Sequence, residues 1–229
     1  MKLRGPFLLG PDPVFPHPEL AHESGLLAVG GDLSVERLLA AYSNGIFPWP
    51  LGDDDDALYW FSPDPRFVLY PSELHVGRSL ARRRRSGAFE VHYDWAFEDV
   101  IEGCRQTPRP GAAGTWITPS LEAAYVDLHQ LGIAHSAEAW VAGRLVGGLY
   151  GLALGRVFFG ESMFHRETDA SKVVFAQLVE DLRALGYRLV DCQQETDHLA
   201  SLGARSISRA AFLHEIEAAI PESAPFPEG

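Results

Sequence analysis

Residues 136 to 161 constrain this chain more than any other stretch. Three short runs read as strands, Ser136 to Val141, Arg144 to Leu154 and Arg156 to Glu161, with turn signals at Ala142-Gly143 and Leu154-Gly155. Turns this tight join neighbouring antiparallel strands, so the segment predicts a meander. Upstream, Phe89 to Tyr93 alternates like a strand. Asp94 is placed to cap a helix reaching about Cys104, and Thr118-Pro119 opens another that Gly132 closes. Downstream, Asp169 is placed to cap a helix with Val173, Val174, Leu178 and Leu182 on one side and Gly186 at its end. Arg188 to Cys192 reads as a short apolar strand and Arg209 to Ala219 as a last helix.

The order helix, three meander strands, helix, strand is that of the Gcn5-type N-acetyltransferase core. Periodicity by itself supports an α+β chain with a mainly antiparallel sheet, and the acyltransferase link is an analogy of fold. The first sixty residues differ in character. They are irregular and rich in Gly, Pro and aromatics, with one clear helix capped by Ser34, striped by Leu38, Leu39 and Tyr42, and ended by Gly45. Asp53 to Asp56 reads as a solvated turn. The prolines of Trp60-Phe61-Ser62-Pro63-Asp64-Pro65-Arg66 exclude a helix there. A boundary at Ser62 therefore divides the chain into a small N-terminal domain, residues 1–62, and a larger domain, residues 63–229. Pro221 to Gly229 is Pro-rich and reads as a loose tail.

A net charge of -12 argues against a general nucleic-acid binder. Its distribution qualifies that. Arg82, Arg83, Arg84 and Arg85 stand together with Arg78 one turn upstream, a concentrated basic patch that can hold RNA or can equally be a solvated helix end. No run of about 18 apolar residues exists, so no membrane-spanning helix is expected. The N-terminal Met1-Lys2-Leu3-Arg4-Gly5-Pro6 is not followed by a long apolar stretch, which argues against a secretory signal. Only Cys104 and Cys192 are present, consistent with a reducing compartment such as the cytoplasm.

Two acidic positions stand out. Glu161 sits among large apolar groups in Phe158-Phe159-Gly160-Glu161-Ser162-Met163-Phe164, and Asp191 ends an apolar strand. A buried carboxylate costs several kcal/mol unless it is paired or hydrogen-bonded. If the two strands are neighbours, both acids face one cleft, and alternation puts Gln193 on the side of Asp191 with Cys192 pointing away. The structural alternative is that Asp191 caps the next helix and Glu161 pairs with an arginine. Cys192 with His198 could be a nucleophile pair, but a structural thiol is the stronger reading. His17, His22, His129 and His135 read as loop or surface residues without metal-ligand spacing. Met163-Phe164-His165-Arg166-Glu167-Thr168-Asp169 lacks the loop that would hold a coenzyme A pyrophosphate, which weighs against an acetyl-coenzyme A-dependent N-acetyltransferase. A non-catalytic RNA-binding module is the other alternative.

Seven segments, in order over residues 14 to 213, carry a resemblance. They are Gly25-Leu26-Leu27-Ala28-Val29-Gly30-Gly31-Asp32-Leu33, Gly45-Ile46-Phe47-Pro48-Trp49, Trp60-Phe61-Ser62-Pro63-Asp64-Pro65-Arg66, Gly114-Thr115-Trp116-Ile117-Thr118, Phe159-Gly160-Glu161-Ser162-Met163-Phe164, Asp191-Cys192-Gln193 and His198-Leu199-Ala200-Ser201-Leu202-Gly203-Ala204. Together they resemble the leucyl/phenylalanyl-tRNA–protein transferases. The resemblance implies a small N-terminal domain and a Gcn5-like (GNAT) catalytic domain. It implies transfer of Leu or Phe, and weakly Met, from leucyl-tRNA or phenylalanyl-tRNA to proteins beginning with Arg or Lys, creating a degradation signal. No metal or soluble cofactor is implied. Asp191, Gln193 and Glu161 become the catalytic residues, with the Gln193 amide donating to Asp191 and Glu161 meeting the basic acceptor. Trp49, Trp116, Tyr125, Leu149, Phe158, Met163 and Val190 become the pocket for the amino acid and terminal adenosine. Arg78 and Arg82 to Arg85 become tRNA contacts. Where some family members carry Asn, three residues after the catalytic Gln, this chain has Thr196.

Overall fold

The computed structural model describes residues 4–50, 58–107 and 117–228. The acidic turn at Asp53 to Asp56 and the candidate pocket residue Trp116 lie outside them. Among the described residues the strands form two sheets, one before and one after Ser62.

The first sheet corrects the irregular reading of the N-terminal region. It is built from β1 (Phe7–Leu9), β2 (Leu26–Gly30), β3 (Phe47–Pro48) and β4 (Tyr59–Phe61), with α1 (Val35–Ser43) between β2 and β3. The order is β1-β2-β4-β3, with β1 parallel to β2. These strands are only two to five residues long, too short to show an alternation against the surrounding prolines and glycines. Helix α1 is as expected: the Ser34 hydroxyl accepts from the Arg37 N–H, and Gly45 follows in the left-handed region at φ 69°.

The second sheet contains β5 (Arg66–Leu69), β6 (Glu90–Tyr93), β7 (Ala134–Val141), β8 (Arg144–Leu154), β9 (Val157–His165), β10 (Leu189–Gln193) and β11 (Arg205–Ile207). Its order is β11-β5-β10-β9-β8-β7-β6. Strands β6 to β9 are the expected antiparallel meander with β6 added at its edge, and β10 returns parallel to β9. The helices are α2 (Arg78–Arg85), α3 (Phe97–Gln106), α4 (Pro119–Gln130), α5 (Ala170–Ala184), α6 (Asp197–Ser201) and α7 (Arg209–Ala219). Helix, three meander strands, helix, strand is the order read from the sequence, and the structure adds that the last strand pairs parallel.

Strand alternation feeds two cores. Tyr150, Leu152, Phe159 and Leu189 pack on the side of α1, α3, α4 and the first sheet, while Leu149, Phe158 and Val190 pack under α5 with Val174, Leu178 and Leu182. All of these side chains are at most 2 % exposed.

Two helix starts differ from the expected caps. Asp94 has a left-handed backbone, and its carboxylate accepts from Ser136 N–H at 2.8 Å; α3 begins after Ala96, whose N–H donates to Glu138. Asp169 is also left-handed and makes no side-chain cap to α5. The tail is not loose: the Phe226 ring stacks on His135 and Phe158, with centroids 4.0 and 5.9 Å away, and lies edge-on to Tyr93. Nor are His129 and His135 surface residues, since they stack on Phe97 and Phe226 and bond Ala134 and Asp94.

Candidate active site

Two bulges build the site. In the β8–β9 pairing, Tyr150 faces Ser162 and Gly151 faces Gly160, which leaves Glu161 as the extra residue. In the β10–β5 pairing, Asp191 faces Val68 and Gln193 faces Phe67, which leaves Cys192 extra. A bulge breaks the alternation and re-aims the side chains beside it. Gln193 sits in the left-handed region at φ 59°, a conformation that costs energy for a residue with a Cβ. Both bulges border one cavity of about 350 Å³.

Asp191, Cys192 and Gln193 all line this cavity. The expectation that Cys192 points away rested on unbroken alternation, which the bulge removes. Glu161 lines it too, so the two acids share one space. The wall includes Trp49, Leu149, Phe158, Met163 and Val190 from the expected pocket, with Phe175, Leu199, Thr196 and His198 added. Tyr125 is not on the wall. It is fully buried behind Glu161.

The hydrogen bonds around the acids differ from those expected. Asp191 is fully buried, and Arg66 grips it with Nε at 2.8 Å from Oδ1 and Nη2 at 2.6 Å from Oδ2. Its Oδ1 also accepts from the backbone N–H of Gln193 at 2.9 Å. The Gln193 side-chain amide therefore turns away from Asp191 and donates to Glu161 Oε1 at 2.7 Å. Arg66 lies between the rings of Phe47 and Phe212, each centroid 4.6 Å from its guanidinium carbon. Arg66 ends the Trp60 to Arg66 segment, but β5 is only four residues long and nothing in its sequence signals a partner.

Behind Glu161 stand two tyrosines from different helices. Tyr42 of α1 donates to Oε1 at 2.7 Å and Tyr125 of α4 to Oε2 at 2.9 Å, and the two hydroxyls are 2.5 Å apart. Burial pushes the Glu161 carboxyl up to about 7, against the hydrogen bonds from the tyrosines, which favour the anion. Burial likewise holds both phenols well above their usual range. Tyr42 was read only as part of an apolar helix stripe, since its partners lie more than eighty residues away.

Burial pushes the Cys192 thiol up and the His198 imidazole down, so neither ionises readily and the structural reading of the thiol is favoured. Thr196 uses its hydroxyl to accept from the Leu199 N–H at the start of α6. The arginine run forms the exposed face of α2. Arg78, Arg82 and Arg85 are exposed, Arg83 lies over Phe89, and Arg84 is held by Glu180 at 2.6 Å and Gln177 at 2.8 Å.

Comparison with known proteins follows the same lines. The sequence model of the family described as leucyl/phenylalanyl-tRNA protein transferase matches residues 68–217, and that of its N-terminal domain matches residues 31–64. A leucyl/phenylalanyl-tRNA–protein transferase of Oleidesulfovibrio alaskensis is 57% identical over 211 residues, covering 90% of this chain and 84% of its own. One of Stutzerimonas stutzeri is 60% identical over 193 residues, with 84% of each chain covered. One of Myxococcus xanthus is 55% identical over 209 residues, with 91% and 88% covered. Among solved structures, a GCN5-related N-acetyltransferase from Kribbella flavida aligns with a TM-score of 0.41 at 10% identity, covering 79% of this chain and 64% of that one.

Proposed function

The chain belongs to the leucyl/phenylalanyl-tRNA–protein transferase family, and on that premise we propose that it moves Leu or Phe from a charged tRNA to the α-amine of proteins beginning with Arg or Lys. One observation carries this reading: three polar groups, Glu161, Asp191 and Gln193, meet an apolar wall in a single cavity. An aminoacyl ester is already activated, so the enzyme's main task is to hold an amine against a carbonyl. The apolar wall of Leu149, Phe158, Met163 and Val190 takes the Leu or Phe side chain, and Trp49 stacks on the terminal adenine.

Each polar group has a separate task. Asp191, fixed by Arg66, holds the bulge through the Gln193 N–H. The Gln193 amide donates to Glu161 and so leaves its oxygen to orient the attacking amine. A neutral amide is a poor base, and orientation is its role. Glu161 meets the cationic acceptor. The exposed arginines of α2, Arg78, Arg82 and Arg85, hold the tRNA backbone. No helix among the described residues is long and apolar enough to cross a membrane. We place the enzyme in the cytoplasm as a monomer, divided at Ser62 into the two domains read from the sequence. The product carries a new N-terminal Leu or Phe that marks it for degradation.

The test is incubation with radiolabelled leucyl-tRNA and two peptides that differ only in beginning with Arg or Ala. Label is expected on the Arg peptide alone. Equal labelling, or none on either, would contradict the reading.

A further inference from the structure

Glu161, Tyr42 and Tyr125 form a ring of three close oxygen–oxygen contacts: 2.5 Å between the hydroxyls, 2.7 Å from Tyr42 to Oε1 and 2.9 Å from Tyr125 to Oε2. Each contact needs one hydrogen between its oxygens. Both phenols are fully buried, so each supplies one hydrogen. With Glu161 ionised, two hydrogens serve three contacts, and one pair of oxygens faces lone pair to lone pair. A third proton, on Oε2, completes the ring. Oε2 then donates to Tyr125, Tyr125 to Tyr42 and Tyr42 to Oε1, which still accepts from the Gln193 amide.

Among the described residues, the groups around the carboxyl supply no other counter-charge. Arg66 from β5 is spent on Asp191 of β10, and Gln193 is neutral. Tyr150 from β8 stands edge-on to Tyr125. Among the described residues, Cys192 and His198 complete the titratable lining on this side of the cavity.

We propose that this ring makes Glu161 the base of the transfer step, with Tyr42 and Tyr125 as positioning residues that fix its two oxygens and close the ring around the proton it takes. The inference rests on the cavity being the site of transfer. The acceptor nitrogen bonds to the ester carbonyl carbon, and its surplus proton passes to the Glu161 carboxylate and closes the ring. As the bond from that carbon to the ribose oxygen breaks, the carboxyl returns the proton to the leaving oxygen. No other reactant is required.

Glu161→Gln preserves shape and can close the ring with an amide hydrogen, but it cannot take a proton. Single-turnover transfer from bound leucyl-tRNA to an Arg-initiated peptide is measured against pH in both forms. The wild type is expected to show a rate limb with a midpoint near neutrality. At saturating peptide the variant should be about 10²-fold slower or more, without that limb, while affinity for the tRNA changes less than about threefold. A variant that raises KM alone, or that keeps the limb, overturns the proposal. Infrared titration without substrate tests the ring separately: a protonated-carboxyl band present at pH 6 and lost in Glu161→Gln is expected. An ionised Glu161 at pH 6 overturns it. A wild-type chain that transfers nothing would instead overturn the transferase reading.

Discussion

Asp191 has no exposed surface, and among the described residues its compensating charge comes from a single side chain, Arg66. Breaking a buried pair by removing one partner typically costs about 3–5 kcal/mol, because the other charge is left stranded. Arg66→Ala should therefore lower unfolding stability by that amount in urea denaturation, and a loss below about 1 kcal/mol would show that the pair is not buried as described. Glu161 has the opposite signature. Its carboxyl is raised from 4.5 to about 7 on folding, so the folded state holds the proton more tightly. The stabilisation is fully present below about pH 4.5 and is lost as pH rises to about 7. Thermal melts of the wild type should lose stability across that window by more than melts of Glu161→Gln, and parallel curves would contradict the shift. Glu161 and Asp191 were legible as candidates because carboxylates are rare among large apolar residues. Their partners were not. Tyr42, Tyr125 and Arg66 reach the site from elements 30 or more positions away, and no local period records such contacts.

The bulges are the elements that give these residues their directions. Opposite Glu161, a Cβ on Gly151 would lie 2.2 Å from the Phe159 carbonyl oxygen, so no larger residue fits without moving the backbone. Gly151→Ala should cost about 1–3 kcal/mol and reduce transfer, as backbone shifts from overpacking do. Stability equal to the wild type would remove the bulge from the explanation. The meander itself was readable from its turns, and α7 was read at its observed ends. The bulges were not, because an inserted residue leaves no mark in a pattern of alternation. Helix α2 makes a second prediction at this scale. Arg78, Arg82 and Arg85 are exposed, whereas Arg84 is engaged by Glu180. Replacing the three exposed residues by Ala should raise KM for leucyl-tRNA several-fold and flatten its salt dependence. Replacing Arg84 alone should act mainly on the packing of α2 against α5. An unchanged KM for the triple variant would return the patch to plain solvated surface.

Across the whole molecule, the site depends on elements from both sides of Ser62. Tyr42 and Trp49 come from the first sixty residues, and Arg66, Tyr125, Glu161, Asp191 and Gln193 from the rest. Strands β6 to β10 of the large sheet could be anticipated from the order of elements, whereas the short β5 and β11 at its edge could not. The first sheet could not, since strands of two to five residues are stabilised by what they pack on rather than by their own pattern. The same holds for Phe226, which docks on Phe158 from a tail whose prolines read as unstructured. The central claim is that the amine and the ester meet at Gln193, and its most direct measurement is single-turnover transfer by Gln193→Ala beside its affinity for leucyl-tRNA. Transfer should fall by at least about 10²-fold while affinity stays within about threefold of the wild type. Transfer at the wild-type rate, or a loss explained wholly by weaker tRNA binding, would contradict it.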